Sequence, residues 1–351
     1  MSITGNRRGP TMKLIAEEAG VSIALVSKVL HGRATSVRVS EETAQTVRET
    51  ARRLNYVPNG LARSLRTNRS HTVGLIFENF GQISAGPLFY VYLFDGIAQE
   101  LFSHHYRLSI LPEVDPINPL ASLADGRLDG VIWCKMPSSD DFMDRIRNCP
   151  VPMVALNAPP PSQTSEIVFV ACDNEKGAGL VVEYLASLGH KRIVFALERN
   201  EEETPDALAR LAGFRKACEV RNLPCGEDEL VVWSGEAREF STWWHHQPRH
   251  TAIFAWNEGM GAAILRQAIR AGVEVPRELS VIGFDSTQFC ETTTPRLTAV
   301  RQPIREMAAH AAKTMVNLIE GHLPSTYDVL FPCSLDVRDS TAPPSREKRT
   351  Q

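Results

Sequence analysis

The sequence predicts two unlike parts: a small all-α headpiece with a short hinge helix, followed by an α/β body of two lobes, each built on a parallel sheet. Three observations carry this. Residues 1–70 hold 12 Lys+Arg against 5 Asp+Glu, a charge of +7, and the remainder holds 26 against 36, a charge of −10, so the net −3 conceals a basic end on an acidic body. Residues 11–57 contain three short stretches with apolar residues at helical spacing. From His71 onward the pattern changes to continuous apolar runs separated by helical periods.

The headpiece elements follow from spacing and caps. Met12, Ile15, Ala16 and Ala19 give a first helix one apolar face, with Thr11 as N-cap and Gly20 as its end. In the second helix Val26, Val29 and Leu30 share one side, which leaves Ala24, Ser27 and Lys28 on the opposite arc and Ile23 and Leu25 at its flanks. Ser40 caps a third helix, Glu41 and Glu42 suit its dipole, and Val47, Ala51 and Leu54 complete a three-helix core. Two helices joined by Gly20-Val21-Ser22 are too small to stand alone, so the third is required. Beyond them Pro58 and Asn59 suit the first turn of a helix on which Leu61, Ala62 and Leu65 share a face. That helix has about two turns, too few for stability in isolation.

In the body, Thr72 to Phe77, Arg107 to Leu111, Leu128 to Trp133, Val151 to Leu156, Ile167 to Cys172, Arg192 to Leu197, Glu229 to Trp233, Ala252 to Trp256 and Leu279 to Phe284 read as strands. Continuous Val/Ile/Leu runs with helices between them mean parallel sheets covered on both faces. No dinucleotide glycine fingerprint and no P-loop follows any of these runs, which argues against a nucleotide-dependent enzyme.

Composition sets further bounds. Seven Cys without a Cys-x-x-Cys pair read as buried thiols of a reduced compartment. Residues 1–10 offer no apolar signal segment, and no run approaches the roughly 18 apolar residues of a membrane span, so a cytoplasmic protein with no membrane association is expected. Residues 1–10 and 339–351, polar and Pro-containing, read as disordered tails. His104-His105 and His245-His246 are adjacent pairs that diverge on a helix, and Glu201, Glu202, Glu203 and Asp206 read as a solvated acidic loop. No catalytic constellation, metal site or cofactor is expected.

The run Ile15-Ala16-x-x-Ala19-Gly20-Val21-Ser22-x-x-x-Val26-Ser27-x-Val29-Leu30, with Leu54-Asn55-Tyr56-Val57-Pro58-Asn59 beyond it, resembles the helix-turn-helix of the lactose-repressor (LacI/GalR) family. The resemblance continues through Asp129-Gly130, Asp173-Asn174, Gly189-His190-Lys191-Arg192-Ile193, Arg210-Leu211-Ala212-Gly213-Phe214, Asn257-Glu258, Ser280 to Asp285 and Pro295-Arg296-Leu297-Thr298, over about residues 11–338. It implies a helix-turn-helix headpiece at 11–57, a hinge helix and linker at 58–70 and a periplasmic-binding-protein-like body at 71–338. The N-lobe would comprise about 71–171 plus 302–328, and the C-lobe about 172–301 plus 329–338. The stretch from Pro112 to Arg127 departs from the family's strand-helix unit.

The resemblance also implies roles. The second helix would read DNA through Ile23, Ala24, Ser27 and Lys28. Lys28 reaches guanine edges and Ile23 and Ala24 supply only apolar contact, while Ile23 has a second reading as an edge of the core. Leu25 and His31 depart from the Thr and Asn common in the family. The hinge would place Asn59, Arg63, Leu65 and Arg66 on DNA, with Leu65 wedged into the minor groove and Leu61 touching its twin. An effector would meet Arg210, Asn257, Asp285 and Asn157, the last standing where many relatives have Asp, with Trp233, Trp256 or Phe289 as the stacking aromatic. The expected protein is a homodimeric, effector-controlled transcriptional regulator of repressor type on a pseudo-palindromic operator. A sugar-binding transport receptor would share the body but needs a signal segment and no headpiece.

Overall fold

The computed structural model describes residues 10–31, 39–57, 64, 69–77, 88–111, 123–137, 139–158, 160, 166–234, 239–246 and 250–345. The chain divides into two units, Met1–Ser70 and His71–Gln351.

The first unit is built on α1 (Met12–Ala19), α2 (Ile23–His31) and α3 (Glu41–Arg53). Thr11 accepts from the Leu14 amide at 3.3 Å, and Gly20, at φ +66°, donates back to the Ala16 carbonyl, a left-handed cap that favours glycine. Ser22 accepts from the Leu25 amide and Ser40 from the Thr43 amide, so each helix starts on a hydroxyl. Ile15, Ala16, Val26, Val47 and Ala51 form the buried core, with Met12, Ala19, Leu25, Val29, Leu30 and Leu54 packed around it.

The second unit contains two six-stranded sheets. The first has β1 (Thr72–Ile76), β2 (Arg107–Leu111), β3 (Gly130–Cys134), β4 (Met153–Leu156), β5 (Val168–Cys172) and β11 (Asp328–Phe331), in the order β11-β5-β4-β3-β1-β2, all parallel. The second has β6 (Ile193–Glu198), β7 (Leu230–Trp233), β8 (Ala252–Ala255), β9 (Ser280–Asp285), β10 (Thr298–Arg301) and β12 (Ser334–Asp336), in the order β12-β10-β9-β8-β6-β7, with only β12 antiparallel. Every apolar run expected to be a strand is one. Helices α4 (Leu88–Ser103), α5 (Asp140–Ile146) and α10 (Ile304–Ile319) belong to the first lobe, and α6 (Asn174–Ser187), α7 (Pro205–Val220), α8 (Glu239–His246) and α9 (Glu258–Arg270) to the second. Three chain crossings join the lobes, after Cys172, after Arg301 and between Phe331 and Ser334.

Two expected boundaries move. The resemblance puts the return to the second lobe at 329, but Asp328–Phe331 pairs with Phe169–Cys172, so the chain crosses only after Phe331. The tail expected from 339 is held in place through Ala342. Ser340 is fully buried, its carbonyl accepting from the Val281 amide and its hydroxyl bonding Thr298 N and Val281 O. Its polarity serves backbone groups of β9 and β10 rather than solvent. Of the departing stretch Pro112 to Arg127, residues 112–122 lie outside the described residues.

Candidate functional site

Expected site residues fall on a helix surface of the headpiece and in a cleft of the body. On α2, Ile23 is 47% exposed, and Ala24 is exposed beside it. Lys28 is half-buried. Ser27, expected on the same outer arc, is only 8% exposed, because the apolar stripe of this helix is wide enough to draw it against the core. Leu25 packs on that core, which gives an apolar residue a reason to stand there. The His31 side chain, Asn59, Leu61, Arg63, Leu65 and Arg66 lie outside the described residues.

The cleft lies where the two sheets present their carboxyl ends, the place an open parallel sheet reserves for ligands. Lys135 follows β3, Asn157 follows β4, Glu198 ends β6, Trp256 and Asn257 follow β8, and Asp285 ends β9. Together with Phe89 and Tyr90 of α4, Arg199 to Glu201, and Asp206 and Arg210 of α7, they line a cavity of about 380 Å³. Lys135, Asn157 and Asp285 adopt left-handed backbone, with φ of +55°, +55° and +85°. Such strain at three strand ends turns the side chains inward and is characteristic of a binding site.

Arg210 is the centre of the arrangement. Gly213, one turn along α7, lets that helix press onto α6, where a Cβ would lie 2.3 Å from the Glu175 carbonyl oxygen. The close approach brings Arg210 Nε within 2.9 Å of Asn174 Oδ1, while Nη1 donates to the Trp256 carbonyl at 2.6 Å. Its Nη2 lies 3.5 Å from Asp285 and 3.7 Å from Asp206, and the guanidinium stacks 3.8 Å from the Phe284 ring centroid. Asp285 accepts from Gln302, on the second lobe crossing, at 2.5 Å. Burial pushes the Asp285 carboxyl above its ordinary pKa, against the pull of Arg210 and Gln302. Burial opposes the charged form of Lys135, but Asp206 and Glu201 outweigh it and raise its pKa.

Of the seven effector residues expected from sequence, Arg210, Asn257, Asp285, Asn157 and Trp256 line the cavity, and Trp233 does not. Asn257 also caps α9, accepting from the Met260 amide at 2.7 Å. Phe289 does not line it; it sits in the turn Gln288–Thr292, tied down where Thr287 bonds buried Glu258. The acidic loop, a solvated face by its sequence, departs from that expectation: Asp206 is 7% exposed, and both it and Glu201 turn toward Lys135. Lys135, Phe89 and Tyr90 were not anticipated, although a residue directly after a predicted strand was the available signal for Lys135. The buried atoms Asn157 Oδ1, Asp206 Oδ1 and Trp256 Nε1 have no hydrogen-bond partner among the described residues. Two acceptors and a donor therefore stand ready for a ligand's hydroxyls.

Comparison with known proteins matches both parts. The model for bacterial regulatory proteins of the lacI family matches residues 11–59, and that for the periplasmic binding protein-like domain matches residues 182–341. Catabolite control protein A of Priestia megaterium is 28% identical, over 93% of this chain and 98% of its own length. The HTH-type transcriptional regulator CelR of Thermobifida fusca is 29% identical, over 95% and 99%. A solved transcriptional regulator CelR–cellobiose complex aligns with TM-score 0.70 at 26% identity, covering 94% of this chain and 99% of that one. The Lac repressor dimer bound to operator and the anti-inducer ONPF shares the fold, with TM-score 0.81 at 22% identity over 95% and 100%. Among the described residues no helix is long and apolar enough to cross a membrane. Residues 11–59 are thus similar to the lacI family of bacterial regulatory proteins and residues 182–341 to the periplasmic binding protein-like domain, and relatives named as transcriptional regulators align with nearly the whole chain and nearly their own whole length.

Proposed function

We propose that this protein is a cytoplasmic, homodimeric repressor without enzymatic activity, whose affinity for a pseudo-palindromic operator is set by a small polyhydroxylated effector in the cleft. The observation that carries the reading is the ring of buried, partly unsatisfied polar groups around Arg210, set between two lobes of a chain that begins with a helix-turn-helix. The cellobiose bound by a relative of 26% identity and the operator-bound dimer of Lac repressor support the same classes of partner. In this mechanism two headpieces occupy the operator halves, and Ile23, Ala24 and Lys28 face base edges. The hinge segments pair through Leu61 over the centre, where Leu65 enters the minor groove and Asn59, Arg63 and Arg66 contact DNA. An effector that binds one lobe arrangement better than the other shifts the spacing of the hinges and with it operator affinity.

The test is selection of DNA from a random pool by the full chain, followed by gel shifts over a salt series. The selected sites are expected to be pseudo-palindromes bound with a steep inverse dependence on salt. Leu65→Ala is expected to weaken binding at least tenfold. Selection of no consensus would overturn the repressor reading, and an unchanged affinity would overturn the hinge mechanism.

A further inference from the structure

We infer that Lys135 and Asp206 form a two-sided clamp on a single hydroxyl of the effector, and that this clamp, in a lining whose carboxylates outnumber its cations, favours an uncharged polyol over a sugar acid. The inference rests on the reading of the cleft as the effector site.

Lys135 leaves the first sheet after β3, and Asp206 stands in the first turn of α7 on the second lobe, so they face each other across the cleft. The Lys135 side chain is 10% exposed and that of Asp206 is 7% exposed. The ammonium lies 3.9 Å from Asp206 Oδ1 and 3.8 Å from Glu201 Oε2, close enough for Coulomb attraction but too far for a hydrogen bond. Asp206 Oδ1 has no hydrogen-bond partner among the described residues. Two atoms at that separation can both reach one oxygen between them at about 2.8 Å, which accepts from Lys135 and donates to Asp206. A hydroxyl has both capacities; a carboxylate has no proton for Asp206.

The rest of the wall agrees. Asn157 Oδ1 needs a donor and Trp256 Nε1 an acceptor, the same pair of demands a neighbouring hydroxyl meets. The lining carries four carboxylates, Glu198, Glu201, Asp206 and Asp285, against the three cations Lys135, Arg199 and Arg210. An anionic ligand would add to the side already in excess. Since the clamp takes one jaw from each lobe, the hydroxyl also adds hydrogen bonds between the lobes that the direct Lys135–Asp206 ion pair is too long to make.

The experiment is calorimetric titration and thermal shift of the full chain with D-ribose, D-glucose, cellobiose, D-gluconate and D-glucuronate, repeated on Lys135→Met and Lys135→Gln. A neutral probe is expected to bind wild type better than the acids. Loss of the clamp is expected to weaken that probe by about tenfold or more, the scale of a lost hydrogen bond to a charged group. Asp206→Asn serves as the second variant, because it leaves Lys135 in place and keeps the side-chain volume. Acids bound better than neutral probes, or neutral binding unchanged in the Lys135 variants and in Asp206→Asn, would overturn the clamp while leaving the cleft as the effector site. Absence of binding by all five probes to wild type would overturn the reading of the cleft as a polyol site, and the clamp with it.

Discussion

Glu258 is fully buried at the start of α9, next to the cleft but not in its lining. It accepts from the Thr287 amide at 2.8 Å, from the Thr287 hydroxyl at 2.6 Å and from the Cys290 thiol at 3.2 Å. Burial, aided by the charge of Asp285, pushes its carboxyl up to about 7. A carboxyl raised on folding contributes stability that is fully present below its unfolded pKa of about 4.5 and is lost as pH rises through about 7. Between pH 6 and pH 8 this amounts to about 1 kcal/mol. Glu258→Gln is therefore expected to show a flatter fall in Tm over that interval than wild type, measured by calorimetry at several pH values; parallel curves would refute the assignment. Sequence showed Glu258 only as half of a family signature. Its depth and its neighbours depend on a turn nearly thirty positions away, which spacing does not reveal. The same limit applies to Asp206: four acidic residues within six positions look solvated until the lobe that brings Lys135 opposite them is in place.

At the scale of elements, local chemistry made much of the fold legible. Thr11 and Ser40 cap the helices they were expected to cap, and nine apolar runs became nine strands, because caps and buried parallel strands are signals carried within a few residues. The strands β10, β11 and β12 were not anticipated; they are three or four residues long, and β11 and β12 are half-exposed edges whose existence depends on the partners that await them. The crossing of α6 and α7 was also hidden in sequence. There Gly213 admits the backbone of Glu175, and Gly177 admits the Phe284 ring, whose edge lies 2.8 Å from where a Cβ would stand. Gly213→Ala would push methyl against main chain, which cannot rotate away, and the helices would have to part. A loss of about 1–3 kcal/mol is expected, read as a fall in denaturation midpoint. Because the same crossing sets the Arg210 contact with Asn174, effector affinity is expected to fall with it. Gly213→Ala of wild-type stability would show that the helices part at no cost.

For the whole body, the unanticipated feature is the segment Asp339 to Ala342, which fastens the second lobe. Asp339 pairs with Arg296 through two bonds, Ser340 bridges β9 and β10, and the Thr341 hydroxyl meets Tyr184 of α6. The Ala342 carbonyl accepts from the Ser280 hydroxyl and lies 2.9 Å from His190 Nε2. With that nitrogen donating, His190 Nδ1 is left to accept from Thr251, which fixes the neutral tautomer, and burial lowers the pKa of the ring. Removing the strap would leave Val281 N, Val281 O and Thr298 N without these partners, and an unsatisfied buried backbone group costs about 1–3 kcal/mol. Truncation after Arg338 is thus expected to lower the Tm of the body by many degrees and to reduce its yield, whereas truncation after Ala342 should leave the Tm within a degree or two of full length. Pairwise comparison of the two truncations by calorimetry separates the strap from the polar residues beyond it. Equal stability of the two would mean that the second sheet closes its own edge without the strap.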